Sequence, residues 1–202
     1  MFQRLSSIDA TNTKVAKSEK SLVGGSKIRI LSLSLMPDDT LCPARNLAEC
    51  AADCLRSSGR GIMQNVIEGR QARSDFWHAD RDAFLSMLKK ELHNFIKLCD
   101  RQNVVPVTRL NVLSDIPWEN YLDFADEFRA LFSYDYTKLP ARLGKTPNNY
   151  RLMFSYSKAP GFANQVDRAL EHRVPVTAVF RGGLPSEFLG RPVFDGDVSD
   201  LA

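Results

Sequence analysis

This chain has few histidines and cysteines, and its net charge is small. Its 202 residues include three histidines and four cysteines, and the formal net charge is only +3. Because charges of both signs are interspersed, the composition does not indicate binding to nucleic acid or to an anionic membrane. A local basic groove remains open as an alternative.

Long apolar segments are also missing. Residues 1–26 lack the apolar core of a secretory signal, and no window approaches the roughly 18 apolar residues of a membrane span. We therefore expect a cytoplasmic protein. In a reducing compartment, clustered cysteines more often bind a metal or do chemistry than form structural disulfides.

The remaining composition is that of one folded domain. Hydrophobic residues make up 44% of the chain, which can bury a core without cross-links. Residues 1–26 are polar and aperiodic, so we expect a flexible N-terminal arm there. Residues 27–202 are expected to form a single α/β domain.

The first part of that domain has a clear apolar pattern. The stretch "KIRILSLSL", residues 27–35, alternates as a strand does. Residues 43–56 favour a helix, which would place Cys50 and Cys54 on one helical face. In residues 78–100, apolar side chains repeat at intervals of three and four, which is the strongest helix signal. Cys99 lies on that stripe, where a buried packing role is expected.

Later apolar runs have the character of strands, with helical segments predicted around residues 119–130 and 162–172. Strands that alternate with helices favour a parallel sheet. Since about six strand–helix steps can be counted, we expect an open or incomplete parallel (β/α) barrel of about six strands, preceded by an irregular N-terminal arm.

Polar side chains follow the predicted strands at five places. They are Arg109, Asn111, Ser114, Asp115 and Glu119, then Asp135, Tyr136 and Lys138, then Ser155, Ser157 and Lys158, then Arg181, and finally Asp195, Asp197 and Asp200. Because the carboxyl ends of parallel strands meet at one edge, we expect these residues to share a site. Strand ends are commonly polar, which explains part of the pattern by itself. Opposite charges placed together are better explained by mutual pairing or by a charged ligand.

The chemistry of these side chains suggests their roles. Asp115 and Lys138 are the predicted catalytic residues, with Asp115 as acid, base or orienting group. We predict that a small anionic substrate is bound by Arg109, Asn111, Ser114, Tyr136, Arg181, Asp195 and Asp197.

Three cysteines, Cys42, Cys50 and Cys54, follow the first strand at the same predicted edge. Three thiolates can hold zinc with His78, His93, an aspartate or water as the fourth ligand. They can also hold a four-iron cluster that leaves one iron free for a substrate. The spacing does not decide between zinc and an iron–sulfur cluster. The alternative is that Cys50 and Cys54 pack on the sheet as small apolar residues and that no metal is bound.

Four sequence blocks stand out: "SLSLMPDDTLCPARNLAECAADCLRSSGRG", "VTRLNVLSDIPWE", "YDYTKLPAR" and "FDGDVSD". In the same order they resemble a phage and prophage protein family of the "gene product eighty-eight" type, over most of residues 28–200. The residues that match its pattern are Cys42, Pro43, Cys50, Cys54, Arg109, Ser114, Asp115, Tyr136, Thr137 and Lys138. The resemblance implies a phage or mobile-element protein and carries no established activity. It also implies a further strand after the last block, so a final C-terminal element is expected to be missing here.

A weaker likeness concerns architecture alone. A first strand, a three-cysteine loop and about six strand–helix steps are similar to radical S-adenosylmethionine enzymes, in which three cysteines hold a cluster. The spacing differs, because this chain has seven and then three residues between its cysteines where that family has three and then two. Likeness of fold does not establish function.

Two classes of function follow. One is an enzyme with a cysteine-bound metal and an anionic substrate. The other is a phage-encoded binding protein without catalysis, such as an inhibitor of a host defence system, which blocks a host protein or a nucleic acid. In the second class five arginines could contact phosphates, but interleaved acidic residues favour a solvated face instead. These arginines are Arg56, Arg60, Arg70, Arg73 and Arg81.

Overall fold

A computed structural model describes residues 4–8, 22–23, 26–51, 54 and 59–196, and within them it contains strands and three α-helices. The helices are α1 (Gln64–Ala79), α2 (Arg81–Gln102) and α3 (Ala163–Leu170). The strands are β1 (Ser7–Ile8), β2 (Leu22–Val23), β3 (Ser26–Ser32), β4 (Val105–Arg109), β5 (Phe132–Thr137), β6 (Tyr150–Ser155), β7 (Val176–Thr177), β8 (Glu187–Phe188) and β9 (Arg191–Pro192).

The central sheet is mostly parallel. Strands β3, β4, β5, β6 and β7 pair in that order, each parallel to the next, while β1 and β2 pair antiparallel with β3. The predicted α/β class with a parallel sheet is confirmed. The described pairings run in one line from β1 to β7 and do not join its two ends, so barrel closure is not seen.

The last predicted strand lies outside this sheet. Strand β9 pairs antiparallel with β8 in a separate two-stranded sheet. Asp195 follows β9, so it does not end a strand of the parallel sheet, and Asp197 and Asp200 lie outside the described residues. The prediction that all five polar strand ends meet at one edge was therefore wrong for this last one.

Helix α2 forms where the apolar repeat predicts it. Phe84, Leu88, Leu92 and Cys99 are fully buried along one face. At its N-terminus the side chain of Asp80 accepts a hydrogen bond from the backbone N–H of Ala83 at 2.9 Å, which satisfies one of the free donors of the first turn. Cys99 is thus a packing residue, as expected.

The helix predicted over residues 43–56 was wrong for the residues described there, and residues 52–53 and 55–56 lie outside the described residues. The structure has turns over residues 43–49, and Glu49 adopts a positive φ of 51° that a continuing helix does not allow. The segment begins at Asp38, whose side chain accepts from the backbone N–H groups of Thr40 and Leu41 at 2.8 Å. Cys50 and Cys54 therefore do not share a face of a helix. The segment predicted around 119–130 is likewise a single 3-10 turn followed by further turns, whereas α3 confirms the helix near 162–172.

The main core fills the space between the sheet and the helices. Side chains of α1, α2 and α3 pack there with sheet residues such as Leu31 and Phe154. Trp77 of α1 meets the ring of Trp118 edge-on, with ring centroids 5.4 Å apart. The opposite face of the sheet carries a smaller cluster formed by Ile28, Ile30, Val107 and Tyr134.

Part of the predicted arm contacts the domain. Leu5 is buried in the main core, and the backbone N–H groups of Leu5 and Ser6 donate to the carboxylate of Glu91 at 2.6 and 2.8 Å. These contacts, together with the pairing of β1 with β3, attach residues 4–8 to the domain.

Candidate functional site

The loops after β3, β4, β5 and β6 leave the sheet at its carboxyl edge. This is the edge at which the sequence predicts a site. The described part of the cysteine-containing segment, residues 41–51 and 54, lies against two of these loops through Leu41 and Ala48. The backbone N–H of Asp115 donates to the carbonyl of Leu41 at 2.7 Å, and the hydroxyl of Ser157 donates to the carbonyl of Ala48 at 2.8 Å. The thiols are thus brought to the polar ends of the strands.

A buried ion-pair network lies beneath this edge. The guanidinium of Arg142 donates to Asp115 at 2.5 Å and makes two hydrogen bonds to Glu119, both at 2.8 Å. It also donates to the hydroxyl of Tyr150 at 3.1 Å, and that hydroxyl donates to Asp135 at 2.8 Å. Arg142 is only 5% exposed. Burial opposes its charge, but Glu119, Tyr150 and Asp115 raise the pKa of Arg142, so it stays a cation.

Asn111 organises the loop after β4. Its side-chain oxygen accepts from the hydroxyl of Ser114, the backbone N–H of Ile116 and the indole N–H of Trp118, at 2.8–3.1 Å. Its backbone N–H donates to the carboxylate of Asp135 at 2.7 Å. Asn111 and Ser114, which the sequence assigned to substrate binding, are buried and used here to hold the loop.

Two acids in the network have raised pKa values. Burial raises the pKa of Asp135 to about 6, against the hydrogen bonds from Asn111 and Tyr150. Burial also raises the pKa of Asp115, against the opposing effects of Arg142 and of the backbone N–H of Lys138. Because its oxygens already accept these bonds, Asp115 is placed to orient Lys138.

Lys138 turns its amine toward the end of β6. The Nζ atom lies 3.1 Å from both the hydroxyl and the carbonyl oxygen of Ser155, and 3.4 Å from the carbonyl oxygen of Tyr156. The ring of Phe162 lies 5.5 Å from the same nitrogen. Burial lowers the pKa of Lys138, while the negative charges of Cys50, Cys42 and Asp115 oppose that decrease.

The thiols gather near Lys138 and Asp115. Burial, followed by the negative charges of Asp115, Cys50 and Cys54, raises the pKa of the Cys42 thiol to about 12, and Lys138 opposes that rise. All three thiols are half-buried, and the Cys50 sulfur lies 3.6 Å from the carbonyl oxygen of Arg45. Because the positive charge of Lys138 does not offset this rise in pKa, Cys42 is a protonated thiol at neutral pH.

The sulfurs are near one another without forming a closed ligand set. Within the described ranges, no three His, Cys, Asp or Glu side chains are positioned to hold a metal ion. The histidines predicted as fourth ligands are used elsewhere, since His78 contacts Asp38 at 2.8 Å and His93 contacts Glu127 at 3.1 Å. Metal binding by Cys42 thus stays a prediction.

The other predicted substrate residues lie on the opposite face of the sheet or in exposed segments. The guanidinium of Arg109 lies 4.7 Å from the ring of Tyr136, and Tyr136 packs with the smaller cluster on the opposite face of the sheet. Arg181 is exposed in the segment after β7, and Asp195 is exposed after β9.

The predicted basic stripe is engaged with its own chain where the structure describes it. Arg73 donates to the carbonyl of Ser34 at 2.8 Å, and Arg81 stacks 4.8 Å above the ring of Trp77. Arg70 lies close enough to Cys54 for the thiolate to favour its charge, although burial lowers the pKa of Arg70. Arg56 lies outside the described residues.

Sequence reasoning placed Glu119 and Asp135 among the polar strand ends but missed Arg142 and Tyr150, which join these two acids into one unit. The only local signal is that Arg142 follows Lys138 by four residues in "TKLPAR". An arginine next to a polar strand end indicates a partner but does not say which of the distant acids it meets.

Three comparisons relate the chain to known proteins. The family described as "Gene product 88" matches residues 4–202. No curated protein and no solved structure matches the chain. Among the described residues, no helix is both long and apolar enough to cross a membrane. Together with the ordered sequence blocks, the match shows that this chain belongs to the Gene product 88 family of phage proteins.

Proposed function

We propose that the carboxyl edge of the sheet is an active site in which Cys42, Cys50 and Cys54 take up a thiophilic metal ion or an iron–sulfur cluster. The observation that carries the proposal is that Asp115 bonds both the carbonyl of Leu41, next to Cys42, at 2.7 Å and the backbone N–H of Lys138 at 2.8 Å. The electrostatic effects of the thiols, Asp115 and Lys138 on one another agree with this placement. The proposal needs only this shared edge, and the open-barrel shape stays a separate prediction.

Thiolates are suitable ligands for a thiophilic metal by their chemistry, although the three described sulfurs do not form a closed ligand set. Three neighbouring thiolates repel one another, and this repulsion contributes to the pKa of about 12 at Cys42. A bound cation removes that cost, because coordination deprotonates thiols and releases their protons. When bound, a metal held by three protein thiolates supplies an open coordination position for a substrate.

The substrate expected at this edge is a small anion. Arg70 lies beside Cys54 and supplies positive charge there, a role that the sequence had assigned to Arg109. Lys138 is the proposed catalytic residue. Asp115 orients it through the backbone hydrogen bond of 2.8 Å and is held in turn by Arg142.

The test is metal and sulfide analysis of protein purified without oxygen, together with its absorbance spectrum. We expect close to one metal centre per chain in the wild-type protein. Cys42→Ala and Cys50→Ala are expected to lose most of it, because two thiolates bind a metal much more weakly than three. Cys99→Ala is the matched control, since Cys99 is buried in the core on α2 and is expected to keep the metal.

A stable, colourless and metal-free wild-type protein would overturn this proposal. That result would favour the alternative of a phage-encoded binding protein that acts on a host protein without catalysis. Equal metal content in Cys42→Ala and in the Cys99→Ala control would place any metal at another site.

A further inference from the structure

We infer that Arg70 and Arg73 of α1 bind a phosphate group, and that the anionic substrate of this edge is a small phosphate monoester with two negative charges. This inference deepens the proposed function, on which it rests for an anionic substrate at the carboxyl edge. It does not require a bound metal, because protein contacts alone position both arginines.

The two arginines lie side by side on one face of α1. They are three residues apart in the helix, which places their Cβ atoms about 5–6 Å from each other. The Arg73 guanidinium folds back along this face, since a Cβ atom at Gly69 would lie 3.6 Å from its Nη1 atom and 4.0 Å from its Nη2 atom. Because Arg70 directly follows Gly69, both guanidinium groups can reach the same anion.

This face of α1 lies against the segment that leaves the sheet after β3, at the carboxyl edge. The Nε–H of Arg73 donates to the carbonyl of Ser34 at 2.8 Å. The backbone N–H of Met36 donates to the carbonyl of Arg70 at 3.3 Å and to the hydroxyl of Ser74 at 2.8 Å. The arginine pair is thereby fixed beside the loop that leads into the cysteine segment.

Neither arginine is neutralised by an acid. None of the ion pairs between described residues includes Arg70 or Arg73. The side-chain hydrogen bond of Arg70 goes to the carbonyl of Gly61 at 3.4 Å, and that of Arg73 goes to the carbonyl of Ser34. Since a guanidinium has five N–H donors, most of both groups is available to a ligand.

The acid whose charge favours the Arg73 cation has other partners. The carboxylate of Glu91 accepts from the backbone N–H groups of Leu5 and Ser6 and from the hydroxyl of Ser6. Burial, and then the charge of Arg70, lower the pKa of Arg73, while Glu91 opposes that decrease. Two half-buried like charges without a counterion are costly, and a bound dianion removes that cost.

The hydroxyl of Ser34 is an independent indication of a polar ligand. Its oxygen is buried and has no hydrogen-bond partner, although the carbonyl of the same residue binds Arg73. Buried polar atoms nearly always have a partner, and an exception is commonly explained by an ion or a water molecule. A phosphate oxygen held by Arg73 would give this hydroxyl an acceptor.

The charges around the pair favour a small molecule over a nucleic acid. Glu68 and Asp75 lie on the exposed side of α1, where they accept from the side chains of Gln64 and Gln71 at 2.9 and 2.8 Å. These acids repel an extended polyanion that runs along the helix. Two guanidinium groups also match a phosphate monoester, which carries nearly two charges at neutral pH, better than a diester, which carries one.

Isothermal titration calorimetry with phenyl phosphate at about pH 8, where a phosphate monoester is a dianion, tests the site. We expect one phenyl phosphate per chain, with a dissociation constant of about 1 mM or lower. Arg70→Met and Arg73→Met are each expected to weaken binding by at least about tenfold, because each removes charge-assisted hydrogen bonds. The matched control Arg168→Met, at an exposed arginine of α3, is expected to bind as the wild type does.

Circular dichroism shows whether each variant is folded. Arg73→Lys provides a milder change, which keeps the charge but loses the planar group and is expected to weaken binding several-fold. A folded wild-type protein that does not bind phenyl phosphate would overturn the inference, and so would equal binding by the wild type and Arg73→Met.

Two further measurements separate the alternatives. Dimethyl phosphate and a short thymidine oligonucleotide contain only diesters, so binding of either as tightly as phenyl phosphate would overturn the monoester assignment. A metal-free wild-type protein that binds phenyl phosphate through these arginines would sink the metal proposal alone. A metal-loaded protein that does not bind phenyl phosphate would sink the arginine site alone.

Discussion

The backbone N–H of Lys138 donates to the carboxylate of Asp115 at 2.8 Å, and this bond joins the loop after β4 to the residue that follows β5. Asp115 also binds Arg142 and, through its own N–H, the carbonyl of Leu41. One buried acid therefore connects the thiol segment, the lysine and the ion-pair network, and it explains why these parts of the edge depend on one another.

Removal of Arg142 is expected to be strongly destabilising. In Arg142→Met the carboxylates of Asp115 and Glu119 lose their buried cation, which typically costs about 3–5 kcal/mol. Urea unfolding at pH 7 measures the loss. Arg168→Met, at an exposed position of α3, is the control and is expected to change stability by less than about 0.5 kcal/mol. Equal stability of the two variants would contradict the role given to Arg142.

Asn111 gives a second test of the buried network. In Asn111→Ala, the donors of Ser114, Ile116 and Trp118 lose their shared acceptor. Since each of the three buried donors left unsatisfied costs at least about 1 kcal/mol, a total of about 3 kcal/mol is expected to lower the melting temperature by roughly 6–12 °C. Asn94→Ala, at an exposed site on α2, should melt close to the wild type. A drop of similar size in both variants would mean that Asn111 has no special role.

The pH dependence of stability should report on Asp135. Its pKa rises from an ordinary 3.8 to about 6 on folding, so the folded protein binds this proton more tightly than the unfolded chain does. The resulting contribution is fully present below about pH 4 and is lost as the pH rises through about 6, a change of roughly 3 kcal/mol.

Asp135→Asn removes that ionisation. Urea unfolding at several pH values between 4 and 7 is expected to show a smaller decline of stability with pH in the variant than in the wild type. The pKa of Asp38 is shifted in the opposite direction, so its effect on stability has the opposite pH dependence. Although its partial burial opposes the change, hydrogen bonds from Leu41, Thr40 and His78 lower the pKa of Asp38 to about 2, so its contribution is lost as the pH falls. Parallel pH profiles for wild type and Asp135→Asn would contradict the assignment.

The reactivity of Cys42 tests its protonation. With a pKa of about 12, its thiol in the metal-free protein is expected to react with iodoacetamide roughly 100-fold more slowly than free cysteine at pH 8. The rate should also keep rising about tenfold per pH unit up to pH 9.5, where free cysteine levels off. Peptide mass spectrometry follows the reaction at each cysteine. Rapid modification of Cys42 at pH 7 would show that the pKa of this thiol is not raised.

The sequence predicted those parts of the fold that have a local pattern. Helix α2 repeats apolar residues at intervals of three and four, and strands β3 to β6 are short apolar or alternating runs. Helix α1 was missed because its buried residues, Ser74 and Trp77, form no such repeat. The helix over residues 43–56 was predicted from helix-favouring residues, but the bonds to Asp38 and the turn at Glu49 outweigh that propensity.

The site was only partly visible for a similar reason. Parallel topology predicts that Asp115, Lys138 and the cysteine segment share an edge, because each follows a strand. The partners of Arg142 cannot be read in the same way, since Asp115 precedes it by 27 residues and no local rule links them. Contacts of that kind depend on how loops fold over the edge.

X-ray absorption at the metal edge tests the central claim most directly, because it counts the sulfur atoms around a bound metal. For protein purified without oxygen, we expect three protein thiolates at about 2.3 Å if the metal is zinc, reduced to two in Cys42→Ala. A spectrum with only nitrogen and oxygen ligands, or one that does not change in that variant, would contradict a three-thiol centre at the carboxyl edge.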